Sequence, residues 1–63
     1  MNYFIEVAKK DLKKAVDFLI ELYPHEFQVK GATLFFEEEA DCYDAVYYLQ
    51  NLEMEVMSNV EEF

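Results

Sequence analysis

The chain has 63 residues, 54% of them hydrophobic, and a net charge of −9, enough for one small α+β domain (residues 1–63) with a thin core. Six Phe and five Tyr argue against disorder, and the single Cys42 excludes an internal disulfide and fits a reducing cytoplasm. All five lysines precede Glu37, where five acids balance them, so the whole net charge falls on the nine acids from Glu37 onward. That half would repel nucleic acid and anionic membrane, and favours a basic partner.

In chain order, Asn2 to Val7 alternates in polarity and predicts a strand. The start Met-Asn-Tyr-Phe-Ile-Glu has no basic leader, so a secretory signal is not expected, nor is a membrane span. Lys9 to Tyr23 shifts to helical spacing, with Leu12, Ala15, Val16, Leu19, Leu22 and Tyr23 forming an apolar stripe. Pro24 stops the helix because it lacks an amide hydrogen and restricts the residue before it. Glu26 to Lys30 and Thr33 to Glu38 predict two strands joined by a Gly31-Ala32 turn, with Val29 facing Leu34 and Phe27 facing Phe36.

A second helix is predicted from about Ala40 to Leu52, with Cys42, Ala45, Val46, Leu49 and Leu52 as its stripe. Glu53 to Met57 alternates again and predicts the fourth strand, and Ser58 to Phe63 either extends it or forms a loose tail. No sequence repeat of 20 to 50 residues stands out, but the pattern of elements occurs twice. Right-handed crossovers then give a ferredoxin-like βαββαβ domain: a four-stranded antiparallel sheet of order 4-1-3-2 with both helices on one face.

No constellation of enzymatic type emerges. Cys42 falls on the apolar stripe, His25 follows Pro24, and a Cys–His pair would need the two side by side. The acidic run Glu37-Glu38-Glu39-Ala40-Asp41 lacks the glycine that converges ligands in an oxygen cage, so no metal or other cofactor is expected. Acids at a helix start are favoured by the helix dipole. Lys9, Lys10, Lys13 and Lys14 gather at the start of the first helix and predict a solubilising face.

Phe4 and Phe35 fall on the central strands, on the sheet face that no helix covers. Lys30-Gly31 begins like the third-strand motif of RNA-recognition-motif domains, but Ala32 and Leu34 stand where that motif has aromatics. With acids around it, an exposed Phe4, Phe35 and Met57 patch predicts a protein interface or a homodimer seam instead.

The crossover geometry predicts acids gathered over the strand-4 half of the sheet, with lysines on the other half. The expected partner-binding set is Glu37, Glu38, Glu39, Asp41, Asp44, Glu53 and Glu55, with Tyr43 and Tyr47 as exposed anchors. In size, acidity and lack of cofactor motifs the chain resembles phage-encoded anti-defence proteins, including anti-CRISPR inhibitors and other DNA mimics. That resemblance implies an inhibitor or adaptor, not an enzyme, occupying the basic surface of a nucleic-acid-binding enzyme or complex. The alternative is an interaction module that homodimerises through the sheet face, with acidity serving solubility.

Overall fold

The computed structural model describes residues 2–63. Its elements are β1 (Tyr3–Glu6), α1 (Lys9–Leu22), β2 (Phe27–Lys30), β3 (Thr33–Phe36), α2 (Glu39–Asn51) and β4 (Glu61–Glu62). They form the ferredoxin-like layout, a four-stranded antiparallel sheet of order β2-β3-β1-β4. Among the described residues, no helix is long and apolar enough to cross a membrane.

The hairpin register follows from turn chemistry. Gly31 takes φ +62, which costs a residue without Cβ nothing, and the two-residue turn sets Lys30 opposite Thr33. Val29 then meets Leu34 and Phe27 meets Phe36, the pairing expected from the alternation. Alternation sends Ile5, Val7, Leu34 and Phe36 toward the helices, where they are fully buried with Ala15, Leu19, Cys42, Ala45 and Leu49.

With the helices aligned, their core positions correspond at a shift of thirty residues. Ala15, Val16, Leu19 and Leu22 match Ala45, Val46, Leu49 and Leu52, and Phe18 matches Tyr48. Phe18 and Tyr48 meet edge to face across the helix pair at 6.1 Å. Leu22 and Leu52, placed on the stripes by periodicity, are exposed, because each lies at the end of its helix where the sheet no longer covers it.

The fourth strand differs from expectation. Glu53 to Met57 contributes one isolated bridge, Val56 with Val7, flanked by two bonds, from the Met57 amide to the Glu6 carbonyl and from the Ala8 amide to the Glu55 carbonyl. Pairing with β1 resumes at Glu61 and Glu62, opposite Phe4 and Tyr3. Three steps along β1 therefore face five along the edge. The two extra residues preserve the alternation, so Val56 and Val60 both pack on the core. Ser58 closes the gap: the Glu6 amide donates to its Oγ at 2.9 Å. Residues 58–63 are thus a bulged continuation of the edge, not a loose tail.

α2 ends in an unusual way. The Glu53 amide donates to the Gln50 carbonyl (3.0 Å) and the Met54 amide to the Leu49 carbonyl (2.9 Å), the bond pair of a Schellman cap. The left-handed position of that cap, commonly glycine, is filled by Glu53 at φ 63.

Candidate functional site

The topology brings the start of β1, the ends of α1 and β3, the starts of β2 and α2 and the end of β4 to one end of the molecule. That end carries Glu26, Glu37, Glu38, Glu39, Asp41 and Glu62, and no lysine. Two tyrosines report the crowding. Tyr3 has its phenol pKa raised by Glu62 first, then by partial burial, then by Glu39 and Glu38. Tyr23 is raised by burial first and then by Asp41 and Asp44, while its ring stands edge-on to Phe36 at 6.0 Å.

All five lysines lie at or toward the opposite end. Lys9, Lys10, Lys13 and Lys14 occupy the first half of α1, and Lys30 precedes the hairpin turn. The Val7 amide bonds to the Ala32 carbonyl, and the Ala8 amide to the Glu55 carbonyl, each at 3.0 Å. These bonds join the hairpin, the start of α1 and the segment after α2 at that end. Lys10 pairs with Glu55 at 3.4 Å, and Asp11 Oδ2 accepts the Glu55 amide at 2.9 Å.

This layout corrects the sequence expectation in two respects. Charge separates end to end along the strands rather than between the two halves of the sheet. Glu53 and Glu55, expected among the clustered acids, sit at the lysine end. The physical reason is the crossover: α2 starts at one end and finishes at the other, so acids before and after it are about a helix length apart.

At the acidic end, Glu37 and Glu38 form a bend after Phe36, so the strand does not carry Glu37 and Glu39 on one face. Glu38 is the N-cap of α2, Glu39 and Asp41 fill its first turn, and Asp44 follows. Here the helix dipole offsets part of the mutual repulsion of the acids. Tyr43 and Tyr47, on the outer face of α2, are 55% and 65% exposed. Tyr47 stands edge-on to Tyr48 at 5.8 Å.

On the helix-free face, Phe4 and Phe35 are joined by a residue missed in the sequence. Phe63 stacks on Phe35 at 5.6 Å and lies 5.7 Å from Phe4, while its amide donates to the Asn2 carbonyl. It remains 81% exposed. Continuing the alternation of Glu61 past the bulge would have put it beside Phe4. Met57 is exposed beside Glu6 rather than within the stacked trio. A groove of about 340 Å³ runs beside this trio, lined by Gln28, Val29, Lys30, Phe35 and Phe63.

Cys42 is fully buried, and burial pushes its thiol up to about 11, which leaves it a neutral hydrophobe at ordinary pH. His25 is exposed, its amide bonded to the Glu26 carboxylate. Among the described residues, no three His, Cys, Asp or Glu side chains converge as a metal site would require. In comparisons with known proteins, no family model, no curated protein and no solved structure matches the chain.

Proposed function

We propose that the protein is a small acidic binding protein, an inhibitor or adaptor that occupies the basic, nucleic-acid-binding surface of a partner in the manner of a DNA mimic. The observation that carries this reading is the acidic end itself, where carboxylates from α2, β4 and the connections before β2 and α2 gather without a lysine beside exposed Tyr43 and Tyr47. A lysine-free cluster next to exposed amphipathic rings supplies both parts of such recognition. The carboxylates steer a Lys/Arg-rich surface into encounter, an effect that fades with ionic strength. Rim charges add little affinity singly, so Tyr43 and Tyr47 hold the complex once formed.

The test is capture of partners from the native host followed by kinetics on the recovered protein. A basic, nucleic-acid-binding protein is expected. Charge reversal at Glu38, Glu39, Asp41 and Asp44 should slow association and flatten its salt dependence, and Tyr47→Ala should speed dissociation. An acidic partner, or an unchanged association rate after the fourfold reversal, would reject the proposal.

A second reading has its own observation. The stacked Phe4, Phe35 and Phe63 trio is an apolar patch on a face with no helix, suited to sheet-on-sheet homodimerisation. Under that reading Phe63→Ser should leave a monomer in gel filtration.

A further inference from the structure

We infer that β2 is a self-complementary edge through which two copies of this chain pair antiparallel, joining their sheets into one. The sheet order leaves two edges, and they differ. β4 is two residues long, both acidic, and adjoins a bulge, which is how edge strands are kept from pairing. β2 is four residues long and continuously paired to β3, with neither proline nor bulge within it.

Its hydrogen-bonding groups are aimed outward in the required pattern. Lys30 and Thr33 close a two-residue turn, so they and the pair Gln28 and Phe35 exchange the main-chain bonds with β3. The amides and carbonyls of Phe27 and Val29 therefore point away from the sheet. A two-fold axis at Gln28 sets Phe27 of each copy against Val29 of the other, where these outward groups bond to one another.

The side chains agree with that register. Read from Glu26 to Lys30, the segment Glu-Phe-Gln-Val-Lys is palindromic in character. Glu26, in the turn one residue before β2, comes opposite Lys30 of the other copy in this register, and the symmetry makes the pair twice. Phe27 and Val29 extend the core layer across the axis. Val29 is 45% exposed in the single chain, an apolar side chain left uncovered at the edge.

The helix layer continues the match. Phe18 marks the flank of α1 that faces α2, through its contact with Tyr48. Ile20 lies on the opposite flank by helical geometry, toward the β2 edge, and it is 52% exposed. Pairing at β2 brings the two α1 helices side by side over the joined sheet, with Ile20 and Val29 covered. It also leaves Glu61 and Glu62 of both copies at the far edges, which keeps the most acidic strands apart.

Sedimentation equilibrium of the 63-residue chain from micromolar to millimolar concentration tests the inference, with circular dichroism to check folding. A reversible dimer is expected. Val29→Pro removes an amide that points outward, so it should leave the fold intact and abolish the dimer. Lys30→Glu should weaken dimerisation roughly tenfold, and Glu26→Lys combined with Lys30→Glu should restore it, because the opposed charges are exchanged in both copies. If Val29→Pro unfolds the chain, this charge exchange decides alone. A monomer throughout, a dimer that tolerates Val29→Pro, a weakening that the double exchange does not recover, or a dimer lost only on Phe63→Ser overturns the inference. The charge reversals that test partner binding lie on α2 and its cap, away from β2, so either idea can fail without the other.

Discussion

α1 and α2 bury the same stripe and start with opposite charge. At a shift of thirty residues Ala15, Val16 and Leu19 fall on Ala45, Val46 and Leu49, whereas Lys9, Lys13 and Lys14 fall on Glu39, Tyr43 and Asp44. The apolar positions serve the fold and are equivalent because both helices lie on one sheet. The outer positions have no such constraint and differ, basic at the start of α1 and acidic at the start of α2. Packing and surface charge are thus carried by different residues of the same two helices, and each can be altered without the other.

Equivalence in the core is the firmest part of this comparison. Leu19 and Leu49 are both fully buried, so Leu19→Ala and Leu49→Ala should each cost about 2–5 kcal/mol, enough to unfold a domain this small. Urea titration measures both. A Leu49→Ala cost under half that of Leu19→Ala would mean that the second helix is held mainly by something other than its stripe.

Where the helices differ within the stripe, Cys42 takes the place of Leu12. Burial raises its thiol pKa from 9.0 to about 11 in the folded chain. Below pH 9.0 the thiol is neutral folded or unfolded, so its contribution is complete. As pH rises toward 11, ionisation favours the unfolded chain, and stability should fall. Tyr3 and Tyr23, also raised, act in the same direction. Cys42→Val should therefore flatten the alkaline loss measured by denaturant midpoints without abolishing it, and a profile identical to that of the natural protein would show that Cys42 ionises freely.

The two helices also stop differently. Pro24 follows α1, whereas α2 relies on Glu53 in the left-handed region. Glu53→Gly removes the Cβ penalty while keeping the Gln50 and Leu49 bonds, and should stabilise by about 1 kcal/mol after the loss to unfolded-state entropy. Thermal melting checks this, and a destabilised variant would mean that the Glu53 side chain contributes more than its strain costs.

Much of this was legible in the sequence because strict alternation and a 3.6-residue period leave few arrangements for a short chain. The hairpin at Gly31-Ala32, the buried stripes and the sheet order all follow from those patterns. The position of β4 does not, since its residues are Glu61 and Glu62, poor strand formers held by pairing with Phe4 and Tyr3. The bulge at Ser58 is equally silent, because a two-residue insertion leaves Val56 and Val60 on the same face and alternation unbroken. The candidate site is half visible in the sequence: composition and spacing single out the acids and the tyrosines of α2. Their end-to-end placement, and the exclusion of Glu53 and Glu55, required knowing where each crossover begins and finishes.

The finest contrast lies at the two first turns, and reversing one charge in each should give unequal answers. The dipole of α1 meets Lys9 and Lys10 at its positive end, an unfavourable contact. Lys9→Glu removes that repulsion and places an acid among Lys10, Lys13 and Lys14, so both terms favour the variant by about 0.3–1 kcal/mol in total. At α2 the terms oppose. Glu39→Lys gives up the favourable dipole contact but gains attraction to Glu38, Asp41 and Glu62, and its net effect on stability should be close to zero. Melting curves at low ionic strength read both variants, and the gain from Lys9→Glu should shrink as salt approaches about 0.15 M, where screening acts over roughly 8 Å. If Glu39→Lys instead destabilises by as much as Lys9→Glu stabilises, the helix dipole alone governs these turns, and the crowding of carboxylates at the acidic end costs the fold nothing.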